Sequence, residues 1–163
     1  MNLSDFGLLL FGMGIMNKKE KDYLIALGTQ EKQFDALYRK AALAYGLSDC
    51  SMWVLYFLSL YGDLTQQEMT GLMMFPKQTI NSAIGSLQKK GYVDFSAVKE
   101  SYGRKRVNLT AEGKAFADKT VVKMMNAEAK ALKAFGYEKT EQFIALYKEF
   151  YEALSDSIDG VLK

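Results

Sequence analysis

Leu64-Thr-Gln-Gln-Glu-Met-Thr-Gly-Leu-Met-Met-Phe-Pro-Lys-Gln-Thr-Ile-Asn-Ser-Ala-Ile-Gly-Ser-Leu-Gln-Lys-Lys-Gly-Tyr-Val-Asp-Phe95 encodes two successive helices and the start of a strand. Thr65 and Glu68 have the spacing of a capping box, each side chain accepting the other's backbone N–H. Leu64 and Met69 flank that cap as a hydrophobic staple. Met69, Leu72 and Met73 give this short helix one apolar face. Pro76, the single proline of the chain, disfavours helix at Phe75 and suits the first position of a new one. The second helix is expected from Pro76 to about Lys90, with Ile80, Ala83, Ile84 and Leu87 in one narrow sector. Two helices joined by so short a turn form a helix-turn-helix.

The opposite sector of the second helix carries Gln78, Asn81, Ser82, Gly85 and Lys89, with Lys77 near its start. Solvated helix faces ordinarily mix Glu with Lys; this one has no acid. Amides, hydroxyls and Lys can donate to base edges and phosphates, and small side chains let a helix approach closely. Taken alone, the helix is equally consistent with an ordinary polar surface. Gly91 then stops it, Tyr92-Val-Asp-Phe95 reads as a strand, and a turn falls at Glu100-Ser-Tyr-Gly103. Arg104-Lys-Arg-Val-Asn-Leu109 reads as the returning strand. Its tip sets Arg104, Lys105 and Arg106 beside Tyr102, a cationic projection with an aromatic side chain. A basic tip can simply guard an edge strand, but directly after a polar, acid-free helix that explanation loses weight.

Outward from this centre the chain is helical. Tyr23, Leu27, Phe34, Leu37, Tyr38, Ala41, Ala42 and Tyr45 recur at steps of three and four, marking an amphipathic helix over about residues 20–45 that Gly46 ends. Ser48 is placed to cap a helix whose stretch Met52–Tyr61 is apolar almost all round. Thr110 is expected to cap one long helix reaching Phe135, and Gly136-Tyr137 to break it. Beyond Thr140, Phe143, Tyr147, Phe150, Leu154, Ile158 and Val161 form a seam suited to lengthwise packing on another helix. These terminal helices present more apolar surface than the middle can cover, which predicts a homodimer; an internal bundle is the alternative. The expected fold is mainly α with a small β-hairpin wing: an arm and dimerisation helix over 1–46, a winged helix-turn-helix over 47–113, and dimerisation helices over 114–163.

Composition narrows the chemistry. In 163 residues there is no His, which removes imidazole bases, His-dependent nucleophiles and His-ligated metals. A single Cys, Cys50, removes thiolate zinc clusters and internal disulfides, and fits a reducing, cytoplasmic setting in which it serves as a small core residue. No nucleotide-binding glycine loop occurs, so neither an enzyme nor a cofactor is expected. The apolar run Phe6–Met16 is too short to span a membrane and lacks signal-peptide flanks. It reads as an arm packed on the body or on a partner chain, and Met16 before Asn-Lys-Lys-Glu-Lys also permits translation to begin there. A net charge of +2 argues for no charged partner, yet its distribution does: residues 76–114 hold eight Lys or Arg against three acids.

Three of these pieces together resemble the MarR family of transcriptional regulators: Leu64–Met73, Pro76–Asp94, and Arg104-Lys-Arg-Val-Asn-Leu-Thr-Ala-Glu-Gly113. The similarity extends over about residues 47–116. It implies a triangular homodimer with interleaved terminal helices and two winged-helix lobes on a palindromic operator of double-stranded DNA. Lys77, Gln78, Thr79, Asn81, Ser82 and Lys89 would then face the major groove or its phosphates, and Arg104, Lys105 and Arg106 the minor groove or phosphates. Many family members carry Asp-x-Arg at the wing tip; here the matching stretch is Ser101-Tyr102-Gly103, and Arg104 is the expected substitute. The resemblance also implies repression relieved by a small aromatic or anionic effector. Trp53, Met69, Met73, Phe75 and Met124, with Met74 and Met125, offer a soft apolar lining that ordinary core packing would equally explain. A winged helix turned to protein interaction, without specific DNA binding, is the other functional reading.

Overall fold

The computed structural model describes residues 16–97 and 105–162. The chain divides into two compact units, Met1–Asp49 and Cys50–Lys163. The apolar arm expected over residues 6–15, and the wing turn with Tyr102 and Arg104, lie outside the described residues.

In the first unit, α1 (Lys18–Ala44) starts two residues before the periodicity suggests, because Asn17 and Glu20 form a capping box. Gly46 ends it as expected. With φ +66°, Gly46 lets Leu47 N–H reach the Ala42 carbonyl at 2.9 Å and its own N–H reach Leu43 at 3.0 Å, the paired bonds of a Schellman close. Tyr23, Leu24, Ile25, Leu27, Phe34, Leu37 and Leu43 are exposed along α1.

In the second unit, α2 (Asp49–Tyr61) buries Cys50, Ser51, Met52, Val54, Leu55 and Leu58. It is not covered all round, however: Trp53, Tyr56 and Phe57 are half-buried, and Leu60 and Tyr61 are exposed. The two-residue strand β1 (Leu64–Thr65) leads into α3 (Gln66–Met73), whose Thr65–Glu68 capping box forms as the sequence predicts. Met74 closes α3 in the left-handed region at φ +53°, and Pro76 takes the N-cap position of α4 (Lys77–Lys89) rather than its first helical position. Ile80, Ala83, Ile84 and Leu87 are its buried residues, the sector predicted. Gly91, at φ +75°, ends this helix with a second Schellman close.

Strands β2 (Val93–Ala97) and β3 (Lys105–Leu109) pair antiparallel with Val93 opposite Leu109 and Ala97 opposite Lys105. Because β1 pairs with the other edge of β3, the wing is a three-stranded sheet in the order β1-β3-β2. The third strand was not expected; two residues are too few to show an alternation.

The C-terminal part corrects one expectation. The long helix predicted from Thr110 to Phe135 is broken at Thr120 into α5 (Ala111–Lys119) and α6 (Val121–Phe135). Thr120 stands first in a β-branched Thr-Val-Val run, its backbone leaves the helical region, and its hydroxyl donates to the Phe116 carbonyl at 2.8 Å. Such back-bonding competes with the helical ladder. The final helix, α7 (Tyr137–Leu162), begins just after Gly136, and within its first turn the Thr140 hydroxyl donates back to the Gly136 carbonyl. No residue of α7 is buried.

Thr110 joins these pieces. Its hydroxyl donates to the Gly91 carbonyl at 2.6 Å and accepts Gly113 N–H at 2.9 Å, while its own N–H reaches the Tyr92 carbonyl. A Cβ at Gly113 would overlap that same Tyr92 carbonyl, so α5 meets the start of the wing only because residue 113 has no side chain. Gly113→Ala is therefore expected to destabilise the protein by about 1–3 kcal/mol in urea unfolding. Gly85→Ala, where an added methyl meets nothing within 4 Å, should instead stabilise it by about 0.5–1 kcal/mol.

Candidate nucleic-acid interface

α4 presents Lys77, Gln78, Thr79, Asn81, Ser82 and Lys89 to solvent along the side opposite its buried sector. No acid occurs in the helix, and Ser82 donates its hydroxyl to the Gln78 carbonyl at 3.0 Å, leaving its oxygen lone pairs outward. The N-terminus carries no side-chain cap. Its first-turn N–H groups and the helix dipole thus add positive potential at Lys77.

Beside that N-terminus lies an open groove of about 600 Å³, lined by Thr65, Gln66, Gln67 and Thr70 on one side, Lys77 at one end, and Phe95 and Lys105 of the wing strands on the other. Among the described residues, its only charged ones are the two lysines. Lys105 extends over the Phe95 ring, its Nζ 5.7 Å from the centroid, which holds the wing lysine along the groove wall. The sequence reading found Lys77 and Lys105 but treated the outer residues of α3 only as parts of a cap. The polarity of Gln66, Gln67 and Thr70, one turn apart on a helix bordering a basic strand, was the available signal.

Arg106 is placed differently from its expected role. Its Nε lies 2.7 Å from Asp63 Oδ2, its Nη2 donates to the Asp63 carbonyl at 2.6 Å, and Nη2 lies 3.2 Å from Glu68 Oε2. The guanidinium is tied to the α2–β1 turn and to the first turn of α3. The same Glu68 Oε2 accepts Thr65 N–H at 2.6 Å. That backbone bond, aided by the Thr65 side chain and then by Arg106, holds the Glu68 carboxyl below its ordinary value. A carboxylate lowered in the folded state stabilises fully above its unfolded-state pKa and loses that contribution as the pH falls through the acid range. Of the three cations expected at the wing, Lys105 is exposed on the groove, Arg106 is in this clamp, and Arg104 lies outside the described residues.

Residues 45–106, from the end of α1 to the middle of β3, match the model of the MarR family. This segment is therefore similar to the winged helix of the MarR family. Among solved structures it is similar to a MarR-family regulator from Neisseria meningitidis at 24% identity and a TM-score of 0.73, covering 88% of this chain and 98% of that one. A MarR-family transcriptional regulator from Silicibacter pomeroyi follows at 22% identity and 0.62, covering 77% and 84%. NadR in complex with 4-hydroxyphenylacetate aligns at 18% identity and 0.67, covering 83% and 96%. Among curated proteins no sequence matches.

None of Trp53, Met69, Met73, Phe75 and Met124 lines the groove beside α4. Nor do they line a second cavity of about 330 Å³ bounded by Leu58, Asp63, Asn108, Lys114, Asp118 and Val122. Met69 is fully buried as core, and the others are half-buried. Trp53 instead belongs to an aromatic row on α2: its ring meets Tyr56 edge-on at 5.2 Å, and Phe57 stacks on Tyr61 at 6.1 Å. Tyr56 donates its hydroxyl to Glu128 Oε2 of α6 at 2.6 Å. No single helix among the described residues is long and apolar enough to cross a membrane. Cys50 is buried, and loss of hydration pushes its thiol up from 9.0 to about 11. Native Cys50 should thus resist a thiol reagent at pH 7 and react stoichiometrically once the chain is unfolded; rapid native labelling would contradict the core role.

Proposed function

We propose that the protein is a DNA-binding transcriptional regulator that acts as a homodimer on a palindromic operator and represses the genes it controls. The observation that carries this reading is the joining of an acid-free, exposed α4 face to a groove in which Lys77 and Lys105 are the only charges among the described residues. A duplex phosphate backbone needs a track of donors and positive charge, and base edges need amides and hydroxyls. In this reading Gln78, Thr79, Asn81 and Ser82 read the major groove. Lys77 and Lys105 hold phosphates on either side of the groove, with Gln66, Gln67 and Thr70 donating to the same strand, and Lys89 reaches a phosphate from the far end of α4. Arg104 extends the wing toward the minor groove.

Support for two-fold assembly comes from the exposed apolar side chains of α1 and α7, among them Phe34, Leu37, Phe143, Ile144, Tyr147, Phe150, Leu154 and Ile158. Contiguous apolar surface of this extent on helices is characteristic of association. A two-fold dimer would read half-sites about one helical turn, ~34 Å, apart. Relief by a small aromatic effector is supported by the half-buried aromatic row around Trp53, to which a phenolic carboxylate could add another ring.

Selection of bound duplexes from random DNA is expected to recover a palindrome. Lys77→Ala with Lys105→Ala, which removes two contacts from each protomer of the dimer, should then weaken binding to all sequences and lower the slope of log affinity against log salt by about 4. Asn81→Ala should mainly reduce the ratio of specific to non-specific affinity. An unchanged slope in the double variant would remove the groove from the DNA contact. A monomer in sedimentation at micromolar concentration would remove the dimer. Trp53 is the only tryptophan, so titration with phenolic acids should quench its fluorescence as DNA is released; release without quenching would place the effector elsewhere.

A further inference from the structure

The interface described above is free of acids on α4 and within the groove, yet two carboxylates stand immediately beside it. Asp63 precedes β1, and Glu68 shares the first turn of α3 with the groove residues Gln66 and Gln67. Both are about half exposed, and both are within a few ångströms of one guanidinium, that of Arg106, whose side chain is 27% exposed. Arg106 is in register opposite Thr65, the N-cap of α3. One side chain thus links three elements: the turn after α2 through Asp63, the capped start of α3 through Glu68, and the wing strand β3 from which it projects.

We propose that Arg106 is a positioning residue for DNA recognition: it sets the wing against the first helix of the helix-turn-helix and neutralises two carboxylates that would otherwise repel the phosphate track. The inference rests on the DNA-binding reading and removes Arg106 from its list of phosphate contacts. Three features support it. The guanidinium meets Asp63 through both a side-chain and a backbone acceptor, a fork that the point charge of Lys could not reproduce. Glu68 Oε2 is shared between Arg106 and the Thr65 N–H, so the cap of α3 and the position of the wing depend on the same oxygen. Finally, carboxylates adjoining the groove are well inside the ~8 Å screening length of physiological salt, so phosphates there would feel them if they were unpaired.

A phosphate contact and a positioning role predict opposite outcomes in one set of variants. Arg106→Gln unpairs both acids. Asp63→Asn and Glu68→Gln, added to it, remove their charges while a glutamine still completes the capping box. If Arg106 positions and neutralises, Arg106→Gln should bind the selected duplex about tenfold more weakly with an unchanged salt slope, and the triple variant should recover most of that loss. If Arg106 instead contacts a phosphate, both variants stay weak and the slope falls by about 2 in each, one contact from each protomer, which overturns the proposal. Amide hydrogen exchange without DNA gives an independent readout. The Thr65 and Val107 amides should exchange faster in Arg106→Gln than in wild type, and unchanged exchange would overturn the clamp. Wild-type protein that selects no duplex would overturn the regulator reading instead, and with it the recognition role of Arg106, leaving exchange to decide whether the clamp orders the wing.

Discussion

The Thr110 hydroxyl is the point at which the winged helix closes. It donates to the carbonyl of Gly91, where α4 has just ended, and accepts from Gly113 N–H, where α5 is just beginning. Between those two bonds the chain has made the whole wing. Each bond satisfies a backbone group that a helix end leaves without a partner, so the hydroxyl serves two helices at once. The stacking of Tyr92 on Phe116, with ring centroids 4.4 Å apart, covers the same junction from the side. The direction of α4, the root of the wing and the departure of α5 are consequently fixed together.

What the sequence disclosed and what it did not follow from the range of the interactions involved. The Thr65–Glu68 box, the Thr110 cap and the stops at Gly46, Gly91 and Gly136 are set within four or five residues, and each formed where its residues stand. The buried sector of α4 was legible because helical periodicity is also local. Arg106 was misjudged for the opposite reason: its acceptor is 43 residues earlier, and a basic cluster read along the chain does not reveal which acid the fold brings beside it. Strand β1 exists only because β3 offers an edge to pair with. The break at Thr120 lies in a segment whose apolar spacing is continuous; only the β-branched run hinted that the ladder would be interrupted there.

The candidate interface is notable for how its positive charge is made effective. Net charge on the chain is close to zero, and the surface near α4 holds acids as well as bases. What differs is pairing. Asp63 and Glu68, beside the groove, are engaged by Arg106, while Lys77 and Lys105 border the groove itself. Local potential at a surface depends on which charges are left without a close counter-ion, not on the sum over the domain. An arrangement of this kind gives a polyanion a defined track without making the whole protein basic.

The last helix has a different bearing. In α7 no side chain is buried within its own chain, although Phe143 stacks on Tyr147 and a row of apolar residues continues beyond them. In proteins most helical stability comes from packing of an amphipathic face rather than from helix propensity. In the homodimer proposed above, order in α7 and coverage of its apolar row would belong to a single equilibrium governed by mass action. Dilution would then loosen the end of the chain first and leave the cap at Thr110 and the groove intact, so the groove and the association of two copies would be separable thermodynamic units.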